Sequence, residues 1–199
     1  PKQSQVGLRF SIITWGGIIL YVLADLRLQD RVQLRKPHPC GSDQWIVVRL
    51  GADIALVSLT LETGSEANDA RNVEVFRGLC SEAKQLGMPV VGEYYPPEPE
   101  KLTPDQLHAK VYACARIIAE LGADLIKCFF TGEKFHEIVA NTPVPMFTIG
   151  AEKLDTDVAV LKKAAASVGQ GARGIVFGRN IFMAKNPPEL VKALNEVIN

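Results

Sequence analysis

The chain has 199 residues, with 22 Lys and Arg against 22 Asp and Glu, so its formal net charge is zero. Hydrophobic residues make up 47% of it, which is enough to bury a core and excludes intrinsic disorder. A neutral chain lacks the basic excess on which nucleic-acid binding depends, and no run of like charges indicates an interaction tail. The length fits one domain or a large part of a bigger one, and because the chain starts at Pro1 rather than Met we expect further residues upstream.

The first predicted element is an uncharged apolar segment, FSIITWGGIILYVLA, at 10–24. It is too short to span a membrane, for which about 20 apolar residues are needed. Lys2 and Arg9 precede it, as basic residues precede the apolar part of a signal peptide. However, Gly16-Gly17 divides it and β-branched residues dominate each half, so we predict one or two buried strands. The stretch 30–45, with Pro, Gly and charge but no periodicity, predicts only a loop.

The remainder of the chain is organised by a repeat. Leu50-Gly-Ala-Asp53 is echoed by Leu121-Gly-Ala-Asp124, and the glycines at 51, 87 and 122 are about 35 residues apart. Each glycine is typical of a left-handed helix C-cap that a short apolar strand follows, so the period corresponds to one strand-plus-helix unit. The predicted strands are 53–60, 88–94, 124–130, 144–149 and 174–177.

The helices between these strands have recognisable ends. Thr103-Pro104-Asp105-Gln106 has the N-cap, the N1 proline and the glutamine of a capping box. Apolar residues then recur at helical spacing until Gly122 ends the helix. Further helices are predicted at roughly 66–86, from near Asp155 and from Asn186. The two histidines on or near these helices, His108 and His136, are predicted to be solvent-exposed surface residues.

The predicted strands are continuous apolar runs, which are typical of parallel strands buried on both faces beneath helices. With one or two strands from 8–23, the sheet would have six or seven strands. Both a doubly wound sheet and a (βα)8 barrel fit this pattern. A full barrel takes about 250 residues, so the chain is predicted to be either a barrel short of its first unit or an open sheet.

The cysteines and histidines do not predict a metal site. No cysteine pair has ligand spacing and no two histidines lie at i, i+4, so reduced thiols in a cytoplasmic protein are expected. No nucleotide fingerprint is present either, and we therefore expect no cofactor. The residues concerned are Cys40, Cys80, Cys114, Cys128, His38, His108 and His136.

Lys127 is the anomaly of the sequence, because it lies in the middle of the apolar strand Asp124-Leu-Ile-Lys-Cys-Phe-Phe130. In the echoed segment the same place is taken by Leu56. A lysine in a doubly buried strand must pair, reach solvent or lose its proton. A neutral amine would be a Schiff-base nucleophile, whereas a paired one would need a carboxylate such as Glu93. Both interpretations remain open.

Candidate partners of Lys127 lie at strand ends. Glu93 and Tyr95 end one strand on the same side, where they are either a general acid and base or rim residues without chemistry. The last two strands end in Gly150-Ala151 and Gly178-Arg179. Glycine there lets backbone N–H groups approach a phosphate, and Arg179 is a further phosphate donor, although it could equally form a surface ion pair.

Three segments resemble the class I aldolase family, which includes deoxyribose-phosphate aldolase, archaeal-type fructose-bisphosphate aldolase and the thiolase that processes phospho-autoinducer-2. They are Gly122-Ala-Asp-Leu-Ile-Lys127, Pro143-Val-Pro-Met-Phe-Thr-Ile-Gly-Ala-Glu-Lys153 and Gly174-Ile-Val-Phe-Gly-Arg-Asn-Ile-Phe182. The resemblance implies a (βα)8 barrel and large homo-oligomers without a cofactor. It also implies Lys127 as the Schiff-base lysine on strand six, Tyr95 as the proton-transfer residue, and phosphate contacts at Gly150, Ala151, Gly178 and Arg179.

The sequence also departs from that family. Ala151 replaces the second of two glycines, the strand at 144–148 lacks the extra lysine of deoxyribose-phosphate aldolase, and the strand-one aspartate has no counterpart. We therefore expect one N-terminally incomplete barrel domain over 1–199 that lacks or alters its first one or two strands. The predicted function is a metal-free aldolase acting on a phosphorylated ketose such as fructose 1,6-bisphosphate, with Lys127, Tyr95 and Glu93 as catalytic residues. The alternatives are a Schiff-base thiolase using coenzyme A and a non-catalytic sugar-phosphate-binding barrel; no nucleic-acid or membrane partner is expected.

Overall fold

The computed structural model describes residues 12–15, 18–21, 31–33, 44–46 and 54–198. The chain divides into two units, Pro1–Ala52 and Asp53–Asn199. The second unit contains Lys127 and its predicted partners. The assignment of the whole chain to one barrel domain stays a prediction.

The first unit contains two short antiparallel pairs. Strand β1 (Ile12–Trp15) pairs with β2 (Ile18–Tyr21), and β3 (Arg31–Gln33) pairs with β4 (Gln44–Ile46). The apolar segment therefore does form strands, but they pair with each other in a two-stranded sheet of their own. The prediction that they extend the parallel sheet was wrong. The prediction of a loop over 30–45 was wrong at both ends, where β3 and β4 lie, because strands of three residues are too short to show a period in the sequence. The part of it at 34–43 lies outside the described residues.

The second unit alternates strands and helices. Its strands are β5 (Ala55–Leu59), β6 (Val90–Tyr94), β7 (Leu125–Cys128), β8 (Met146–Ile149) and β9 (Gly174–Val176). Its helices are α1 (Glu66–Gln85), α2 (Pro104–Glu120), α3 (Phe135–Asn141), α4 (Asp157–Gly169), α5 (Arg179–Phe182) and α6 (Pro187–Ile198). Two 3₁₀ turns, Pro99–Lys101 and Gly132–Lys134, precede α2 and α3.

The five strands of the second unit form one parallel sheet in the order β5-β6-β7-β8-β9. Each strand pairs with the next along the chain, and the order never reverses. A doubly wound sheet reverses its order at a switch point, so this topology favours a barrel over the open alternative. All five strands predicted after residue 52 are present; four are two or three residues shorter than their apolar runs, and β9 is one residue shorter.

Local signals account for the ends of the long helices. Thr103 and Gln106 make the predicted capping box at the start of α2, and Ser65 and Thr156 cap α1 and α4. Gly87 and Gly122 have φ values of 66° and 107°, which confirms them as left-handed residues after helices. Gly51, the first glycine of the repeat, lies outside the described residues. The short helices α3 and α5 were not predicted.

In the second Gly-Ala-Asp motif of the repeat, the aspartate, Asp124, connects two neighbouring strands. The carboxylate of Asp124 accepts a hydrogen bond of 2.9 Å from the backbone N–H of Val90, at the start of β6. The backbone N–H of Asp124 in turn donates to the carbonyl of Val90 at 2.9 Å. The aspartate therefore ties the start of β7 to that of β6 and helps to set the register that brings Lys127 beside Glu93.

The main core lies between the sheet and helices α1, α2 and α3. Phe76, Ile118 and Ala123 pack there so closely against Gly92 that a Cβ atom on this glycine would lie 2.2 Å from Ile118 Cγ2. A second core cluster joins α4 and α6 to the end of the sheet; it comprises Val160, Ala164, Phe177, Leu190 and Leu194. Because Gly92 faces the helices, the alternate residue Glu93 faces the opposite side of the sheet.

The loop between β5 and α1 is organised by one carboxylate. Asp69 accepts hydrogen bonds from the backbone N–H groups of Glu62 and Thr63, both at 3.1 Å, and from the Thr63 hydroxyl at 2.7 Å. Glu62 has a φ of 60°, a left-handed conformation that favours glycine, so this loop needs such contacts. The hydrogen bonds from Thr63 lower the pKa of Asp69 below its ordinary value of 3.8.

Asp69→Asn is expected to destabilise the fold at neutral pH and to lose this effect in acid. The folded state lowers the pKa of this carboxyl, so its contribution is fully present above the unfolded value and disappears as the pH falls through the folded one. Urea unfolding from pH 7 to pH 2 measures it. Asp155→Asn, at an exposed position before α4, is the control and should leave the pH profile unchanged; a constant wild-type-to-Asp69→Asn difference across this range would contradict the prediction.

Candidate active site

One row of side chains crosses the sheet on the side away from the helices. The register places Ser58, Glu93, Lys127, Phe147 and Gly174 beside one another on the five successive strands. Residues in register on parallel strands share a face, so these positions all lie on the face of Glu93. The row therefore combines a hydroxyl, a carboxylate and an amine with an aromatic ring on the far side of the amine.

Lys127 forms an ion pair with Glu93, and the distance between Nζ and Oε1 is 2.7 Å. The Glu93 side chain is 1% exposed and that of Lys127 is 14% exposed. Of the alternatives left open for Lys127, the structure shows the ion pair, and it is made with the carboxylate suggested for it, Glu93. The pair is also a proton donor and acceptor in contact, so pairing and chemistry are compatible at this site.

Ser58 was not identified from the sequence. Its hydroxyl donates to Oε2 of Glu93 at 3.2 Å. The sequence echo aligned Lys127 with Leu56, but the sheet aligns it with Ser58, two residues further on. The difference arises because the sequence repeat follows the helix ends, whereas neighbouring strands of a tilted sheet are staggered.

Tyr95 follows β6 and packs its ring against Phe129, with 4.8 Å between the ring centroids and a tilt of 62°. Phe129 lies two residues after Lys127, so Tyr95 is next to the lysine's strand. Burial raises the pKa of Tyr95, and the positive charge of Arg179 works against that shift. Glu100, Glu152 and Glu93 raise it further. The phenol therefore keeps its proton at neutral pH and lies within the electrostatic reach of both Glu93 and Arg179.

The residues predicted to hold a phosphate come together after β8 and β9. Nη2 of Arg179 donates to the carbonyl of Ala151 at 2.7 Å, and the N–H of Gly150 lies 3.4 Å from the carbonyl of Val176. Gly178 is exposed at the start of α5, and a Cβ atom added to it would meet no neighbour. The structure thus brings Gly150, Ala151, Gly178 and Arg179 to one place, and shows Arg179 bound to the loop after β8.

Asn180 shapes this loop and was also missed in the sequence. The buried side chain accepts from Leu154 N–H at 2.7 Å and donates to the carbonyl of Glu152 at 2.9 Å and to that of Gly150 at 3.4 Å. Lys163, on α4, donates to the same Gly150 carbonyl at 3.0 Å, and burial lowers its pKa. An asparagine directly after the Gly-Arg pair carries no signal of its own, because its partners are backbone groups 26 to 30 residues away.

Ala151 occupies a position that favours glycine, since its φ is 54°. A left-handed conformation costs an L-residue about 1–2 kcal/mol. Ala151→Gly is therefore expected to raise the free energy of unfolding by up to about 1 kcal/mol after the extra chain entropy of glycine is subtracted. Urea denaturation measures it. In the matched control Ala166→Gly, within α4, the same substitution should instead lower stability by about 1 kcal/mol; equal losses at the two sites would contradict the expectation.

The structure also describes the histidines and cysteines that the sequence analysis considered. His136 is exposed, as predicted, but His108 is not a solvated surface residue. Its Nδ1 lies 3.0 Å from the Thr131 hydroxyl and its Nε2 lies 3.5 Å from a Glu137 carboxylate oxygen, because α2 packs against the segment that enters α3. Cys80, Cys114 and Cys128 are buried free thiols, whereas Cys40 lies outside the described residues.

Over the described ranges, no three His, Cys, Asp or Glu side chains are grouped so that they could hold a metal ion. In the same part of the chain, no helix has the length and apolar character needed to cross a membrane.

Comparison with known proteins gives several aldolases. The chain is 30% identical over 156 residues to an uncharacterized aldolase of Saccharolobus solfataricus, an alignment that covers 76% of this chain and 57% of the relative. The crystal structure of an archaeal fructose 1,6-bisphosphate aldolase matches with a TM-score of 0.65 and 26% identity, over 74% of this chain and 58% of that one. A Schiff-base-forming fructose-1,6-bisphosphate aldolase matches with a TM-score of 0.66 and 26% identity, over 75% and 59%.

The chain is similar to aldolases in sequence and to Schiff-base-forming aldolases in fold. The resemblance seen in the sequence is thereby confirmed, and with it the fold class: β5 to β9 are consecutive strands of a (βα)8 barrel. The chain is also 28% identical to a 3-hydroxy-5-phosphonooxypentane-2,4-dione thiolase of Salmonella typhimurium over 202 residues, covering 90% of this chain and 68% of the thiolase.

The likeness to aldolases is partial. The chain spans 57% of the length of the Saccharolobus relative, and the described parallel sheet supplies five of a barrel's eight strands. A separate family, described as a bacterial protein of unknown function (DUF951), matches residues 26–63. The matched range contains β3, β4 and β5, so it includes residues from both units of the chain.

Proposed function

We propose that this chain acts as a class I aldolase that cleaves and forms a C–C bond in a phosphorylated ketose through a Schiff base on Lys127. The observation that carries the proposal is the contact of Lys127 Nζ with a buried carboxylate at 2.7 Å in a sheet that matches Schiff-base aldolases. The lysine is held in one place, and a group able to take its proton is already against it. Fructose 1,6-bisphosphate is the proposed substrate, because two of the structural relatives bear that name.

The reaction begins with a proton transfer along the ion pair. Lys127 passes a proton to Glu93, and the neutral amine attacks the ketone to give a carbinolamine. The carboxylic acid of Glu93 then protonates the carbinolamine hydroxyl, which leaves as water. The product is a protonated imine facing a carboxylate, so the site holds one positive and one negative charge both before and after the step. This limits the electrostatic cost of imine formation in a buried place.

Cleavage uses the imine as an electron sink. The bond between the α and β carbons of the imine breaks as the Glu93 carboxylate takes the proton of the β-hydroxyl, the aldehyde leaves, and the electron pair remains as an enamine. Glu93 loses that proton to solvent once the aldehyde has left. Tyr95 is the proposed proton donor to the enamine carbon, because burial raises its pKa and keeps the phenol protonated. Water then releases the ketone from Lys127. Tyr95 is reprotonated from solvent, since its side chain is only half-buried.

The loops after β8 and β9 are the proposed phosphate site. Ala151 and Gly178 would offer backbone N–H groups to the phosphate, and Gly150, whose own N–H is bound to Val176, would leave room for it. The Arg179 guanidinium has further N–H donors besides the one bound to Ala151. Asn180 and Lys163 stabilise the loop after β8 through hydrogen bonds to its backbone carbonyls. Binding energy at this remote group would orient the ketone towards Lys127. The full proposal includes a homo-oligomer and, given three reduced thiols, a cytoplasmic location.

Borohydride trapping tests the proposal. The full chain is incubated with dihydroxyacetone phosphate, reduced, and digested for mass mapping. The expected result is one covalent adduct at Lys127 and none at Lys163, the internal control for a partly buried lysine outside the row. Folded protein that gains no mass, or gains it only elsewhere, would rule out a Schiff base at Lys127.

A thiolase is the second candidate, because the alignment with the Salmonella protein covers 68% of that relative. It would use the same Lys127 but transfer an acyl group to coenzyme A. Product analysis with and without coenzyme A separates the two activities: an aldolase releases an aldehyde without it, and a thiolase forms an acyl thioester only with it. A non-catalytic barrel would bind sugar phosphates equally well as wild type and as Lys127→Arg, without turnover in either.

A further inference from the structure

The Glu93 carboxylate has a different neighbour at each oxygen. Oε1 lies 2.7 Å from Nζ of Lys127, and Oε2 accepts the hydroxyl hydrogen of Ser58 at 3.2 Å. The side chain is 1% exposed, so water does not compete appreciably for either oxygen. The carboxylate is therefore oriented by a contact on each side.

The two contacts differ in kind. Within the described part of the chain, Oε1 makes no aligned hydrogen bond, so its contact with the ammonium is an ion pair without a strong directional preference. The Ser58 contact is a hydrogen bond and depends on direction. Of these two contacts, the one from Ser58 is therefore the one that favours a particular rotation of the carboxylate.

The backbone makes Ser58 suited to this. Ser58 and Glu93 are partners in the β5–β6 ladder, so hydrogen bonds of the sheet hold both Cα atoms. Only the side-chain torsions remain to be set, and a serine hydroxyl reaches its neighbour at little cost in side-chain entropy. Lys127 is the next position in the same row. Ser58, Glu93 and Lys127 thus form a line of three side chains on three adjacent strands.

We infer that Ser58 is a positioning residue that holds Glu93 in the rotamer from which it exchanges a proton with Lys127. The inference rests on the proposed Schiff-base function. The proton moves from the lysine Nζ to Oε1 and later from Oε1 to the departing hydroxyl, while the bond from Ser58 to Oε2 stays in place. No proton leaves Ser58, and the step needs no further reactant.

The test compares Ser58→Ala with Ser58→Thr and with Ser167→Ala. Ser167 is a buried serine on α4 whose hydroxyl bonds to a backbone carbonyl, so it controls for the loss of a buried hydroxyl. The measurements are the saturating rate of borohydride-trapped adduct formation with dihydroxyacetone phosphate, and the concentration at half saturation. Thermal unfolding accompanies each variant.

Ser58→Ala is expected to lower the saturating rate roughly tenfold, the effect of losing one hydrogen bond to a charged group, with the half-saturating concentration unchanged. Ser58→Thr keeps the hydroxyl and should restore the rate, and Ser167→Ala should leave it at the wild-type value. A merely structural role would instead change half saturation and thermal stability together. If Ser58→Ala does not fold, Ser58→Cys keeps the size with a weaker donor and should show an intermediate rate.

Three results would overturn the inference. A Ser58→Ala rate equal to wild type, when wild type forms the adduct, would contradict the role of Ser58 and leave the proposed function intact. Wild-type protein that forms no adduct would contradict the proposed function and the role of Ser58 with it. A rate lost in Ser58→Ala and not restored in Ser58→Thr would show that size rather than the hydroxyl matters, which also overturns it.

Discussion

Lys127→Met is expected to lower the free energy of unfolding by about 3–5 kcal/mol, because it leaves the carboxylate of Glu93 buried without its counter-ion. For a chain of this size such a loss corresponds to a fall in the thermal midpoint of roughly 10 °C. Urea unfolding followed by circular dichroism measures the change. A loss of activity in this variant would therefore combine two effects, the loss of the reactive amine and the loss of folded protein.

The double variant Glu93→Gln/Lys127→Met is the matched control for that loss. It removes both charges and keeps an acceptor for Ser58, so it should recover much of the stability. If the single and double variants were equally unstable, packing around residue 127 rather than the unpaired charge would be the cause.

Lys127→Arg separates chemistry from stability. The guanidinium keeps the positive charge beside Glu93, but it stays protonated and cannot form an imine. This variant should remain folded and give no borohydride adduct, whereas Lys134→Arg, at an exposed lysine, should trap like wild type. Adduct formation in Lys127→Arg would assign the chemistry to another lysine.

Gly92→Ala is expected to destabilise the protein by about 3 kcal/mol or more, at the upper end of the usual cost of overpacking a core. Its Cβ would lie 2.2 Å from Ile118 Cγ2, 3.0 Å from Ala123 Cβ and 3.1 Å from Phe76 Cζ. Ile118 is fully buried, so it cannot move aside without disturbing α2. Because Gly92 adjoins Glu93, a displaced β6 should also weaken adduct formation. Chemical unfolding and trapping are measured on the same preparation.

Gly78→Ala is the control for Gly92→Ala. Gly78 lies within α1, and a Cβ there would meet no neighbour, so the change should raise stability by about 0.5–1 kcal/mol through helix propensity alone. The same substitution thus has opposite signs at two sites. A small effect at Gly92 would mean that the contact between β6 and α2 is looser than its distances indicate.

The sequence was sufficient for the features that local physics determines. The capping box at Thr103, the left-handed glycines at 87 and 122 and the five apolar strands depend on neighbours within one element or one turn. Their regular spacing gave the repeat, which was compatible with a doubly wound sheet and with a barrel, and the resemblance to aldolases favoured the barrel. The anomaly of Lys127 was visible for the same reason, since a charge within an apolar run needs no alignment to be noticed.

What the sequence did not give depends on the meeting of distant residues. Ser58 meets its partner, 35 residues away, only through the strand register. Asn180 meets its partners, up to 30 residues away, only through the fold of a loop. Neither residue stands out in the sequence. The strands β3 and β4 and the helix α5 are too short for a period to stand out. The sequence repeat aligned Lys127 with Leu56 rather than Ser58 for a related reason. Similarity between repeats does not show how far one strand is shifted along the next.

The two neighbours of Lys127 in its row have a stereochemical consequence. Glu93 lies on one flank, and Phe147 on the other, where its ring leans over Gly174 so closely that a Cβ there would be 3.0 Å from the ring. An imine at Lys127 would therefore have a proton-exchanging flank and an apolar one. The two faces of the enamine α-carbon beside it would not be equivalent, so a new C–C bond would form there from one side in preference to the other. Under the proposed function, the side chains on the two flanks of Lys127 would in this way determine the configuration of the new carbon centre.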